Sequence, residues 1–131
     1  MSELSSDFLA QAMPLCGTLG MRLVEATGDK VVLDLDHRPE LCTSNGVLHG
    51  GAIMSLADAA GGTLAYLNLP EGAGGTATIS STTNFLAPVR AGTARATSRL
   101  VKAGARVITV QTDVENEGRL VASVIQTQAG S

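Results

Sequence analysis

The chain has 131 residues, 44% of them hydrophobic and 16% charged, so it is long enough for one self-sufficient core and too apolar for intrinsic disorder. A net charge of −3 argues against a general polyanion binder, and the three aromatics, Phe8, Tyr66 and Phe85, are too few for a base-stacking platform. Nucleic acid is therefore not an expected partner.

Residues 1–131 read as one domain, with residues 1–19 as an N-terminal helical segment. The first twenty residues carry Glu3 and Asp7 but no Lys or Arg, so the basic start of a signal peptide is missing. Cys16 and Cys42 have neither CxxC nor zinc spacing and read as reduced thiols of a cytoplasmic protein. Neither a metal nor a cofactor is expected.

In chain order, residues 7–16 read as a short amphipathic helix interrupted by Pro14 and ending at Gly17. Residues 21–27 and 30–36 read as strands joined by Gly28-Asp29. In the second, Val31, Leu33 and Leu35 alternate with Val32, Asp34 and Asp36, the period of a half-buried strand. Residues 38–46 carry loop chemistry. Residues 48–67 read as the main helix, stopped by Pro70 and the Gly72-Ala73-Gly74-Gly75 run. Four strands follow, over 76–86, 93–102, 106–114 and 119–127, with hairpin-length connections.

A meander of short turns implies an antiparallel sheet, and the long helix has to be its packing partner. Ile53, Leu56, Ala57, Ala60, Leu64 and Leu67 form one stripe of that helix, and the opposite side (Ser55, Ala59, Gly62, Tyr66) has few groups that demand water. From position 41 to 70, Asp58 is the only charged residue. A helix apolar nearly all round is buried nearly all round, which a curved sheet wrapped around it satisfies. Gly61, Gly62 and the alanines keep it thin. The charge at Asp58 also argues against a membrane span. One sheet covers one side only, so a second copy of the chain is expected on the other.

The run Thr43-Ser44-Asn45-Gly46-Val47-Leu48-His49-Gly50-Gly51 enters this helix. The first N–H groups of a helix have no internal partner, glycines let a ligand oxygen approach them, and the helix dipole adds positive potential. That layout suits a polarised carbonyl. Asp58 lies eight residues beyond Gly50, about 12 Å of helix rise, so the two cannot share a reacting atom within one chain. Two antiparallel helices across an interface could bring them together. Each residue also has a plainer reading. His49 is a core or capping histidine beside Asn45, Asp58 a carboxylate hydrogen-bonded to a nearby Ser or Thr, and Thr78 an ordinary strand threonine. Cys42 beside His49 as nucleophile has no flanking signature.

Asn45-Gly46-Val47-Leu48-His49-Gly50-Gly51 followed by Ser55-Leu56-Ala57-Asp58, with Asn84-Phe85-Leu86-Ala87-Pro88 and the Gly92 turn, resembles the hotdog-fold acyl-CoA thioesterases of the phenylacetate-pathway (PaaI-like) group. The resemblance implies an α+β hotdog fold, a curved antiparallel sheet around a long central helix. It implies hydrolysis of an acyl- or aryl-CoA, with Asp58 as base or nucleophile and the Gly50 N–H polarising the thioester carbonyl. His49 matches the supporting histidine, and Thr78 the Ser/Thr that helps hold the attacking water. Family members commonly carry Asn or Gln six residues before the histidine. Here that position is Thr43, with Asn45 two residues on, and either can take the role. Gly51 belongs with the substrate-binding residues.

In the family the site spans two subunits. The expected assembly is a homo-oligomer, a dimer at least, with a tetramer as a dimer of dimers. Arg90, Arg95, Arg99, Lys102 and Arg106 form an acid-free basic stretch. It is either a solvated strand face or a landing site for coenzyme A phosphates, with Arg90, Arg106 and Lys102 as the contact candidates. The competing functions are a non-catalytic acyl-CoA-binding module and a hydratase or dehydratase on the same fold.

Overall fold

The computed structural model describes residues 4–130. Two short helices open it, α1 (Ser6–Ala12) and α2 (Pro14–Leu19). The Ser5 hydroxyl caps α1 by accepting the Phe8 N–H at 3.1 Å, and Pro14 stands in the first turn of α2, where a missing N–H costs nothing. The expected end at Gly17 is displaced. The left-handed Gly20, φ 80°, closes α2 by giving its N–H to Cys16 and Gly17.

The strands are β1 (Arg22–Ala26), β2 (Lys30–Asp36), β3 (Thr76–Phe85), β4 (Thr93–Ala103), β5 (Val107–Asn116) and β6 (Arg119–Gly130), with α3 (Gly50–Tyr66) between β2 and β3. They form one antiparallel sheet in the order β1-β2-β4-β5-β6-β3. The long helix packs against five of the six strands, which is the hotdog architecture. Leu33, Leu35, Leu56, Leu64, Val110 and Val114 are fully buried in the core between them. Burying side chains of this size at such density is what holds a small domain together, at about 1.5–3 kcal/mol each.

Only part of the expected meander forms. β4, β5 and β6 are joined by tight turns, but β3 pairs with β6 rather than with β4. Residues 86–92 are therefore a crossing rather than a hairpin. The curvature of the sheet lets seven residues make that crossing past the entrance of α3. They are stitched down by Leu86 N–H to Val121 O (2.8 Å), Leu48 N–H to Val89 O (2.9 Å) and His37 N–H to Gly92 O (2.8 Å). β3 is thereby an edge strand. It carries Ile79, 61% exposed, at a bulge between Thr78 and Ser80.

β2 is buried on both faces instead of one. Val32 is 5% and Asp34 6% exposed, and Arg95 reaches across from β4 to grip Asp34 with two bonds, Nε to Oδ1 at 2.8 Å and Nη2 to Oδ2 at 2.9 Å. On α3 the expected stripe is buried from Ile53 to Leu64, while Leu67, just past the helix, is half-buried, and a Cβ at Gly61 would overlap Gln126 Oε1. Gly62 has open space and thins nothing. The outer face of α3 stays uncovered by the chain's own sheet, with Met54, Asp58 and Tyr66 all exposed.

Candidate active site

α3 begins at an unusual cap. His49 is extended (φ −62°, ψ 136°), and its ring Nδ1 accepts the Gly51 N–H at 2.7 Å. A ring accepting at Nδ1 carries its proton on Nε2 when neutral. Ala52 and Ile53 both donate to His49 O, at 2.9 and 3.2 Å. Of the first four helical amides, Gly50 alone donates to no described residue. Gly50 lines a groove of about 410 Å³ together with Thr43, Ile53 and Phe85. A side chain at either glycine would be crowded, at Gly50 by the Phe85 ring (3.1 Å) and at Gly51 by His49 Nδ1 (2.9 Å).

The carboxylate sits two turns further along. Asp58 Oδ1 accepts the Thr78 hydroxyl at 2.6 Å and the Gln126 Nε2 amide at 2.7 Å. Thr78 Oγ1 in turn accepts Gln128 Nε2 at 2.7 Å. The β3 bulge after Thr78 keeps that side chain on the helix side, in register with Gln128. Asp58 lies on the rim of a cleft of about 450 Å³ whose walls are largely apolar, Phe8, Leu9 and Met13 from the N-terminal segment and Tyr66 from α3. Burial, and then the negative charge of Asp58, push the pKa of the Cys16 thiol up, so that buried sulfur stays protonated.

Asp58 and Gly50 line different clefts, as their helical spacing requires. Thr43 lines the Gly50 groove. Asn45 sits at the tip of a left-handed turn (φ 67°) and does not. The Gly51 N–H is spent on His49, which leaves that residue no backbone donor for a ligand. Arg90 follows Val89, which lines the Gly50 groove, whereas Arg106 borders a cleft with Leu69 and Glu71 beyond the other end of α3. β4, which ends just after Lys102, separates Arg90 from Arg106 by about 35 Å of strand. Cys42 and His49 line one cleft, but no hydrogen bond joins the thiol to the His49 ring. The Cys42 Sγ lies 3.2 Å from His37 Nε2 and 3.4 Å from Arg38 O.

Sequence reasoning missed Gln126 and Gln128. Their signal was their register: with Ala122 and Val124 they continue one face of β6 at a spacing of two, and that face is the buried one. Among the described residues no group of three or more His, Cys, Asp or Glu side chains converges to hold a metal. No helix among them is long and apolar enough to cross a membrane.

Comparison with known proteins fits this geometry. The family model of the thioesterase superfamily matches residues 45–123, which includes the helix entrance, Asp58 and Thr78. A proposed esterase of Saccharolobus solfataricus is 31% identical over 108 residues, 82% of this chain and 76% of its own. The crystal structure of a thioesterase of Haemophilus influenzae superposes with a TM-score of 0.84 at 25% identity, over 94% of this chain and 90% of that one. A proposed thioesterase of Ralstonia eutropha, related to phenylacetic acid degradation, gives 0.83 at 25% identity, over 95% and 97%.

Proposed function

The chain belongs to the thioesterase superfamily and is a thioester hydrolase, and from that premise we propose that its substrate is an acyl- or aryl-CoA, cleaved to the free acid and coenzyme A. Asp58 acts on water as base or on the carbonyl as nucleophile, and the Gly50 N–H of a second copy receives the developing oxyanion. The observation that carries this reading is the Gly50 amide, the one donor at the start of α3 left over by the described residues. It stands at the positive end of a 17-residue helix, where negative charge is stabilised.

The single chain holds two half-sites, the Gly50 groove and the Asp58 cleft, and a two-fold dimer with antiparallel α3 helices completes both at once. The free edge of β3, with Ile79 exposed on it, and the uncovered face of α3 are the surfaces such a dimer would use. A dimer of dimers is the proposed full assembly. His49 holds Gly51 so that Gly50 stays available, and Thr43 rather than Asn45 is the loop side chain at the groove. Arg90, next in sequence to the groove-lining Val89, is the candidate for a coenzyme A phosphate. Lys102 and Arg106 reach the same ligand only from another chain. The free thiols Cys16 and Cys42 suit the reducing cytoplasm.

Thiol release from a panel of alkyl- and aryl-CoA thioesters, read with a chromogenic disulfide, tests the reaction. Asp58→Asn should abolish it with an unchanged circular dichroism spectrum. Full activity in that variant rejects Asp58, and ligand binding without any thiol release by the native chain rejects hydrolysis of this substrate class.

A further inference from the structure

Two glutamines are buried completely or nearly so in the face of β6 that packs on α3, Gln126 at 0% and Gln128 at 1% exposure. A buried primary amide has to place both donors and its acceptor, and Gln126 does not manage it. Its Nε2 binds Asp58, while its Oε1 finds no hydrogen-bond donor. Leaving an acceptor orphaned is costly, so the amide is oriented against its own interest. The reverse orientation would aim Oε1 at the carboxylate. Gly61 supplies the space for the orphan, since any Cβ there would overlap Oε1.

The directions of the bonds follow from donor chemistry alone. An amide NH2 group only donates, so Thr78 Oγ1 accepts from Gln128. The single hydroxyl proton of Thr78 is then committed to Asp58 Oδ1. Gln126 ends on that same oxygen. The two chains of donors converge on Oδ1, and no described residue donates to Oδ2.

We propose that Gln126 and Gln128 are positioning residues that commit Asp58 Oδ1 and present Oδ2 as the reacting oxygen. Thr78 is the middle of this relay, and its hydroxyl proton is not available to the attacking water. The inference rests on Asp58 being the working carboxylate. It adds which of its oxygens works and what fixes the plane of the group.

The test measures kcat and KM for thiol release together with the melting temperature. Gln126→Met keeps the length and apolar packing of the side chain and should lower kcat about ten- to hundredfold at unchanged KM, the scale of a lost hydrogen bond to a charged group. Gln128→Met should lower kcat in the native background but add nothing once Thr78→Val has cut the relay. This non-additivity is the readout that a merely structural role would not give, and it stands even where Gln126→Met fails to fold. An inactive Asp58→Asn alongside glutamine variants of native kcat, or additive Gln128 and Thr78 losses, overturns the relay alone. An active Asp58→Asn overturns the reading beneath it, and the relay with it.

Discussion

The ring of His49 takes the Gly51 N–H at 2.7 Å, and this one bond decides which amide at the start of α3 remains for a ligand. A side chain capping a helix usually serves stability, by satisfying one of the orphan donors. Here the cap also selects. With Gly51 held by the ring, and Ala52 and Ile53 by His49 O, the remaining donor is Gly50, at the edge of the groove.

That donor can be deleted almost alone. Gly50 is the first residue of α3, where proline is tolerated, and His49 already has the extended backbone that a residue before proline requires. Gly50→Pro should lower kcat by about 10²–10³, the cost of one lost oxyanion donor. Gly50→Ala is its control, because its Cβ meets the same Phe85 ring at 3.1 Å but its N–H stays. Steady-state kinetics of the pair separate crowding from the missing donor. Equal losses in both would remove the amide from the mechanism.

Neighbouring glycines on α3 should behave oppositely. A Cβ at Gly61 overlaps Gln126 Oε1 and stands 2.9 Å from Val110 Cγ2, so Gly61→Ala overpacks the core and should cost about 1–3 kcal/mol. A Cβ at Gly62 meets nothing within 4 Å, so Gly62→Ala should return up to about 1 kcal/mol of helix propensity. Thermal melts of the two variants check this, and a Gly61→Ala protein as stable as the native one contradicts the packing.

The element boundaries were legible in the sequence because they are local. Proline and glycine punctuate both ends of α3, and the strands announce themselves by alternation. The pairing of β3 with β6 was not legible, because a seven-residue connection reads as a hairpin unless the curvature of the sheet is known. For the same reason Asp34 looked like an outward charge, when Arg95 covers it from a strand 61 positions away. In the candidate site, His-Gly-Gly and Asp58 stood out by spacing on one helix. Gln126 did not, since its place on the buried face of β6 follows from alternation but its contact with Asp58 spans 68 positions.

The outer sheet face predicts an acid limb in stability. The Arg22 guanidinium, 2.6 Å from Asp36 Oδ2, and then the Thr93 hydroxyl on Oδ1 hold the Asp36 carboxyl below its ordinary value. A carboxyl depressed in the folded state adds stability above its unfolded value, near pH 3.9, and that stability is lost as pH falls through the folded value. Denaturant midpoints should therefore drop more steeply below about pH 4 in the native chain than in Asp36→Asn. The pair is exposed, so added salt should shrink the difference. Identical acid limbs at low salt would show that the bond contributes nothing.

Mixing two impaired chains tests the shared site directly. Asp58→Asn keeps its Gly50 amide, and Gly50→Pro keeps its Asp58 carboxylate. If each site draws its carboxylate from one copy and its amide from the other, every mixed dimer contains one intact site and one doubly damaged one. Random re-pairing makes half the dimers mixed, so about a quarter of native activity should return after co-refolding or co-expression. Each variant refolded by itself should stay at its own low rate. If both groups instead served one site within a single chain, no mixture could recover activity, because every chain would still carry its own lesion. The rise of α3 between Gly50 and Asp58, about 12 Å, already argues against that single-chain site, and the mixing experiment turns the geometric argument into a rate.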